Sequence, residues 1–293
     1  MSRRERLFEK LRESGADPKR SLGQNFLVSD MVVDRILMAV RSEKFSEMIE
    51  VGPGLGALTD DLLPLAAKAE VPMTLIELDR KFAENWRKTA EASTQKIRLI
   101  EADALQVDWR ELGLSENTLF VSNLPYQISS SLVIERSIEP AGVTRMVLMF
   151  QKEVAQRIAA RHSTEHYGLL TVIAQTFWDV STVCDAGPRD FHPPPRVASR
   201  VVMFKRKPAD WVNEQGASRA GFLKFAKAAY SHRRKLLLRN LEGQFLGSDP
   251  DATAHLAQIF KDMGLAPTAR AEELDPGTFV RLYLSVAGYL AAR

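Results

Sequence analysis

Cysteine is almost absent: Cys184 is the one thiol in 293 residues. An internal disulfide is thereby excluded, and so is a zinc site built on cysteines. No metal is expected, and a reducing compartment, the cytoplasm, is the expected location. Long apolar runs are lacking too. None approaches the ~18 residues that a membrane-crossing helix needs, so no membrane partner is expected. The opening Met1-Ser2-Arg3-Arg4-Glu5-Arg6 carries charge with no apolar stretch behind it, and no secretory signal is expected. Neither an internal repeat nor a low-complexity tract interrupts the chain.

What is present is ordinary globular material, 45% hydrophobic and 26% charged, with fourteen Phe and four Trp to build a core. The net charge of +3 is mild but unevenly placed. Residues 1–20 hold seven Arg or Lys against four acids, and residues 215–241 hold seven basic residues and no acid. Two separated basic patches suit a polyanion, although a solvated lysine-rich helix face has the same composition.

Up to about residue 205 the chain alternates β-type runs (48–51, 73–78, 97–100, 119–122, 146–150, 180–184 and 197–204) with helical stretches such as 58–69 and 80–92. That alternation predicts an α/β fold with a mainly parallel sheet. The nearly all-apolar runs suit strands buried on both faces. Proline-rich sequence joins the last two runs, which predicts an antiparallel edge strand. After a linker over 205–216, helical patterns take over at 219–241, 251–263 and 276–290, with Pro267-Thr268 and Asp275-Pro276 as start signals. The expected domains are 1–207, catalytic, and 208–293, small and all-α.

Glu50-Val51-Gly52-Pro53-Gly54-Leu55-Gly56 lies between a predicted strand and a predicted helix. It approximates the dinucleotide pattern G-x-G-x-x-G, but its third glycine comes one residue early. Pro53 removes a backbone N–H that a pyrophosphate would want. Glu50 would repel a phosphate and suits a ligand carrying an ammonium and a sulfonium. S-adenosylmethionine therefore fits better than a nicotinamide dinucleotide. Glu77, 25 residues after Gly52, ends the second strand where an acid can accept from ribose hydroxyls. Asp103 ends the third and can accept from an adenine amino group. Alone, the glycine loop is equally consistent with a plain tight turn; two strand-end acids in step with it make the pattern specific.

The fourth strand runs into Asn123-Leu124-Pro125-Tyr126. The Asn123 side-chain oxygen and the Leu124 carbonyl, held by Pro125, can accept both hydrogens of one exocyclic amine. An aromatic amine is a weak nucleophile because its lone pair is delocalised. Two acceptors draw the nitrogen toward a pyramid and return that pair for attack, by positioning and electrostatics rather than by a strong base. Tyr126 would stack on a base taken out of its own stack. Methylation of pyrimidine carbon 5 needs a thiolate near this strand end, and Cys184 is remote in sequence, so nitrogen is the favoured acceptor. Phe191, before Pro193-Pro194-Pro195, either forms a second aromatic wall opposite Tyr126 or packs into the core ahead of an edge strand. His232-Arg233-Arg234-Lys235 and Arg239, on a predicted helix, could grip phosphates.

Taken together, Ser21-Leu22-Gly23-Gln24-Asn25-Phe26-Leu27, the 50–56 loop, Glu77-Leu78-Asp79, Asp103, the 123–126 tetrapeptide, the 191–197 segment and the 233–241 segment resemble the ribosomal RNA adenine N6,N6-dimethyltransferases. Within that family the bacterial small-subunit branch is the nearer likeness. The resemblance spans residues 19–241, more loosely beyond. It implies a Rossmann-like class I methyltransferase sheet and S-adenosylmethionine as cofactor. It implies as substrate two adjacent adenosines near the 3′ end of 16S rRNA, in the small ribosomal subunit or its precursor, with a monomer as the expected state. It further implies that Gln24, Asn25 and Leu27 close over the cofactor, that Gly52, Gly54, Glu77, Asp103 and Asn123 contact it, and that Asn123, Leu124 and Tyr126 hold the amine with Phe191 stacked on the base. Arg233, Arg234, Lys235 and Arg239 would bind RNA. Leu169, Ala198 and Leu238 depart from the family pattern, the first and last where a basic residue is common. Competing readings are a large-subunit adenine methyltransferase conferring antibiotic resistance, a ribosome-assembly factor that does not need catalysis, and a DNA adenine methyltransferase, for which no DNA-reading module is visible.

Overall fold

The computed structural model of the protein describes residues 2–14, 25–247 and 250–292. Two compact units emerge: Met1–Arg136, Pro140–Ala155 and Val180–Arg206 form one, and Ser137–Glu139, Gln156–Asp179 and Lys207–Arg293 form the other.

In the first unit, α1 (Arg3–Ser14), β1 (Phe26–Leu27) and α2 (Asp30–Arg41) precede an alternating series. That series is β2 (Glu47–Val51), α3 (Thr59–Lys68), β3 (Met73–Glu77), α4 (Arg80–Ala92), β4 (Ile97–Glu101), β5 (Thr118–Asn123), α5 (Tyr126–Ile138) and β6 (Val143–Gln151). Later come β7 (Trp178–Ala186), the two-residue β8 (Phe191–His192) and β9 (Ser199–Arg206). The main sheet has the order β4-β3-β2-β5-β6-β9-β7. Its pairings are parallel from β4 to β6, and β9 runs antiparallel to β6. The α/β expectation and its antiparallel element are thus realised.

Every residue of β2 and β3 is buried, as an apolar run covered on both faces requires. One cover is α2, whose Val32, Val33, Ile36, Leu37 and Val40 fall on a single helical face and are all buried. α4 starts where Asp79 accepts from the Lys81 N–H at 3.0 Å.

The second unit contains α6's last residues, α7 (Leu169–Phe177), α8 (Arg219–Ala229), α9 (Leu237–Leu241), α10 (Pro250–Asp262) and α11 (Pro276–Ala291); α6 itself is Lys152–Ile158. Asp275 caps α11 by accepting from the Gly277 and Thr278 N–H groups at 2.9 and 3.0 Å, as Asp275-Pro276 predicts. Pro267-Thr268 forms a turn and starts no helix.

The single helix expected over 219–241 is broken in two. The buried Asn240 amide donates to the carbonyls of Ala229 (2.8 Å) and His232 (3.1 Å). Those bonds satisfy chain ends that a continuous helix would have used itself. His232-Arg233-Arg234-Lys235 consequently sits in an exposed turn.

Candidate active site

β2 has β3 on one side and β5 on the other, so the chain reverses its direction of travel across the sheet at that strand. Ligands of open α/β sheets bind beyond the carboxyl ends of the strands at such a point. A cavity of about 220 Å³ opens there. Its walls are Asn25 and Phe26, the loop from Glu50 to Gly54, Glu77, Asp103 and the tetrapeptide from Asn123 to Tyr126.

The glycine loop is held from both sides at Gly54. Its N–H donates to Glu77 Oε2 at 2.9 Å, and its carbonyl accepts from Trp86 Nε1 at 2.8 Å. Next to it, Lys10 Nζ donates to the Leu55 carbonyl at 3.0 Å and pairs with Asp60 at 2.6 Å. Gly54 has φ +54°, and a Cβ there would lie 3.1 Å from the Phe26 ring. An L-residue in this left-handed conformation costs about 1–2 kcal/mol. Gly54→Ala is accordingly expected to weaken S-adenosylmethionine binding about tenfold while the protein stays folded, which calorimetry and thermal melting would measure.

The electrostatics select the ligand's charge. Among the described lining residues are three carboxylates, Glu50, Glu77 and Asp103, and no Lys, Arg or His. No three His, Cys, Asp or Glu side chains among the described residues are grouped so as to hold a metal ion. Glu50 is 2% exposed, and its Oε2 has no hydrogen-bond partner among the described residues. Burial pushes its carboxyl up to about 8, and the negative charges of Glu77 and Asp60 add to that; the nearby Thr59 hydroxyl opposes it without making a well-formed hydrogen bond. Burial also raises Glu77, against the stabilising N–H groups of Asp79 and Gly54. Asp103 accepts from the Leu105 N–H at 3.0 Å. Phosphates would be repelled, and an organic cation relieves the buried carboxylates.

At the other end of the cavity, Ser122 Oγ donates to the Val51 carbonyl at 2.5 Å and ties β5 to β2. The next residue, Asn123, donates from Nδ2 to the Asn25 carbonyl at 3.1 Å. Its amide nitrogen thus engaged, Asn123 has Oδ1 left to accept a hydrogen. Leu124 lines the cavity beside it. Tyr126 opens α5, and burial raises its phenol above the ordinary value, so it stays neutral and presents a face rather than a base.

Of the residues expected at the cofactor, Asn25, Gly52, Gly54, Glu77, Asp103 and Asn123 converge here. Gln24 lies outside the described residues. Leu27 does not line the cavity: 2% exposed, it points into the core, and its neighbour Phe26 takes the wall, because alternate residues of a strand face opposite sides. Phe191 is likewise corrected. Paired with Leu27 across β1 and β8, it is 1% exposed in the same core and does not line the cavity. In the second unit, Arg233 pairs with Glu272 at 2.9 Å and donates to the Glu165 carbonyl, and Arg239 pairs with Glu242 at 2.9 Å. Arg234 and Lys235 are exposed. The basic patch expected over residues 1–20 is partly neutralised, since Arg3 pairs with Asp30 and Asp61 and Lys10 with Asp60.

Residues 15–286 match the family model described as ribosomal RNA adenine dimethylase. The chain belongs to that family. This dimethylase is an S-adenosylmethionine-dependent methyltransferase, consistent with a cavity built for a cation. It is 49% identical to the ribosomal RNA small subunit methyltransferase A of Bdellovibrio bacteriovorus over 96% of either chain. With the protein of the same name from Syntrophotalea carbinolica the identity is 37%, over 90% of this chain and 95% of that one. Among solved structures, a dimethyladenosine transferase from Plasmodium falciparum superposes with a TM-score of 0.73 at 23% identity, covering 88% of the dimethylase and 95% of that chain. The 23S rRNA methyltransferase ErmE gives 0.63 at 22%, covering 89% and 99%. At such identities the two structures establish a shared fold.

Trp86, Lys10 and Phe26 are the site residues that reasoning from sequence missed. Trp86 and Lys10 act on loop carbonyls 32 and 45 positions away, and no spacing rule links them to the glycine motif. Phe26 carried no clear signal either, since its neighbour Asn25 also lines the cavity and the two-residue strand β1 begins only at Phe26.

Proposed function

We propose that the dimethylase methylates N6 of two adjacent adenosines near the 3′ end of 16S rRNA, in the small ribosomal subunit or its precursor, as a cytoplasmic monomer. The observation that carries the reading is the Asn123 carboxamide, oriented by Asn25 on the wall of a cavity whose described lining residues include three acids and no Lys, Arg or His. Glu50, Glu77 and Asp103 would hold the cofactor's cationic and hydroxyl-bearing parts. Bound S-adenosylmethionine would supply a methyl group on a sulfonium; the adenine nitrogen would take it as the sulfur–methyl bond breaks, leaving S-adenosylhomocysteine as a neutral thioether and releasing one proton to solvent. Asn123 Oδ1 and the Leu124 carbonyl accept from the amine and orient its lone pair, while Tyr126 supports the base. The relatives named above point to the small subunit, since both bear that substrate in their names.

Arg234 and Lys235, exposed in the turn before α9, are read as phosphate contacts. Replacing both by alanine is expected to weaken RNA binding and reduce the slope of log affinity against log salt by about two, with kcat at saturating RNA unchanged; filter binding across a salt series would measure it.

The deciding experiment incubates the protein with radiolabelled S-adenosylmethionine and small subunits from a strain lacking the dimethylation, then identifies the labelled nucleosides. N6,N6-dimethyladenosine in small-subunit rRNA is the expected product. Label confined to large-subunit rRNA would identify a resistance-type enzyme. Cofactor binding with no transfer to any RNA would identify an assembly factor.

A further inference from the structure

Tyr126 is held at both ends. Its backbone opens α5 directly after Pro125, and its hydroxyl shares a 2.7 Å hydrogen bond with Ser199 Oγ. Ser199 is 0% exposed and stands on the first rung of β9, opposite Gln151 of β6. The adjacent bond from the Lys152 N–H to the Ala198 carbonyl, 2.9 Å, continues that pairing past the strand end. The serine hydroxyl is therefore fixed by the sheet, and it lies 73 positions from the tyrosine it touches. A phenol ring tied only at Cα can swing about χ1; one tied also at its oxygen cannot.

We infer that Ser199 is a positioning residue for methyl transfer, holding the Tyr126 ring at a set distance from the Asn123 oxygen so that the base stacked on it presents its amine in line. The inference rests on the proposed adenine substrate. Reacting groups tolerate little displacement, and about 1 Å can cost on the order of a hundredfold in rate. The second transfer is the more demanding, because the singly methylated nitrogen keeps one hydrogen with which to find an acceptor.

The test compares wild type, Ser199→Ala, Tyr126→Phe and the double variant on undimethylated small subunits. Each single variant is expected to lower kcat about tenfold and to raise the share of N6-methyladenosine among the products. The double variant is expected to be no slower than either single one, since both remove the same bond. Calorimetric affinity for S-adenosylmethionine should stay within twofold, and Ser199→Thr, which keeps the hydroxyl, should recover most of the rate. Wild-type kcat in either single variant overturns the inference, as do single effects that multiply in the double variant, or losses that track cofactor affinity and melting temperature. Should the wild-type protein methylate a different RNA, the substrate assignment fails, and the same ratios taken on that RNA still decide the tether.

Discussion

Asn123→Ala is expected to lower kcat for methyl transfer by about 10²–10³-fold, the range seen when a single preorganised hydrogen-bonding group is removed from a site where charge develops. The side chain holds a fixed orientation because its nitrogen is committed to the Asn25 carbonyl at 3.1 Å. Its oxygen therefore waits in place, with no reorganisation needed when the amine arrives. Alanine removes the acceptor and leaves β5 intact, since the Ser122–Val51 bond and the parallel pairing with β6 hold that strand independently. The variant should melt within a few degrees of wild type and still bind small subunits. Single-turnover transfer of label, with a parallel melting curve, would check both. An unchanged single-turnover rate would remove Asn123 from the chemistry.

A second large effect concerns pH. Glu50 from β2 faces Glu77 from β3 and Asp60 from α3, with the Thr59 hydroxyl alongside, and Asp60 is itself paired to Lys10 from α1. Its carboxyl lies at about 8 in the free protein, against an ordinary 4.5. A cationic ligand favours the ionised form, so binding below pH 8 releases a proton. Affinity for S-adenosylmethionine should rise with pH, by up to about tenfold per unit, and level off above the raised value. In the ligand-free protein the sign is opposite. A carboxyl raised on folding keeps more protons in the native state than in the unfolded chain, so stability falls as pH climbs from the unfolded value through the folded one. Glu50→Gln should flatten both trends, abolish the proton release and weaken binding at pH 8 about tenfold or more. Calorimetry in buffers of different ionisation enthalpy between pH 6 and 9 reads all of these, and equal proton release by wild type and variant would exonerate Glu50.

Most of the cavity lining at the strand ends was legible before any coordinates. Gly52, Gly54, Glu77, Asp103 and Asn123 all sit at strand ends, and in a parallel α/β sheet every strand end points to the same crevice. A run of apolar residues followed by an acid or a glycine is a local signal with a global consequence. Phe191 shows where such reasoning stops. An aromatic before a proline run suits either a stacking wall or a core filler, and a two-residue pairing with β1 turns it inward. The helix expected over 219–241 failed for a related reason. Its intrinsic propensity is adequate, and the break is held by Asn240 reaching back 11 and 8 positions to Ala229 and His232, a side-chain contact that helical periodicity and propensity do not register.

The domain division teaches the same lesson from the other side. A change of composition near residue 205 is visible in the chain, whereas the place of 156–179 in the second unit is not. The buried run of α7 satisfies itself against α8 and α11, more than 40 residues away. Periodicity, strand-end chemistry and charge are short-range properties, and they determined the α/β class, the cationic cofactor and the position of the tetrapeptide proposed to hold the amine. Which nitrogen holds the Gly54 carbonyl, which hydroxyl holds Tyr126 and which buried carboxylate oxygen lacks a partner among the described residues are long-range matters. Only the folded chain decides them, because a hydrogen bond depends on distance in space and the sequence records only order along the chain.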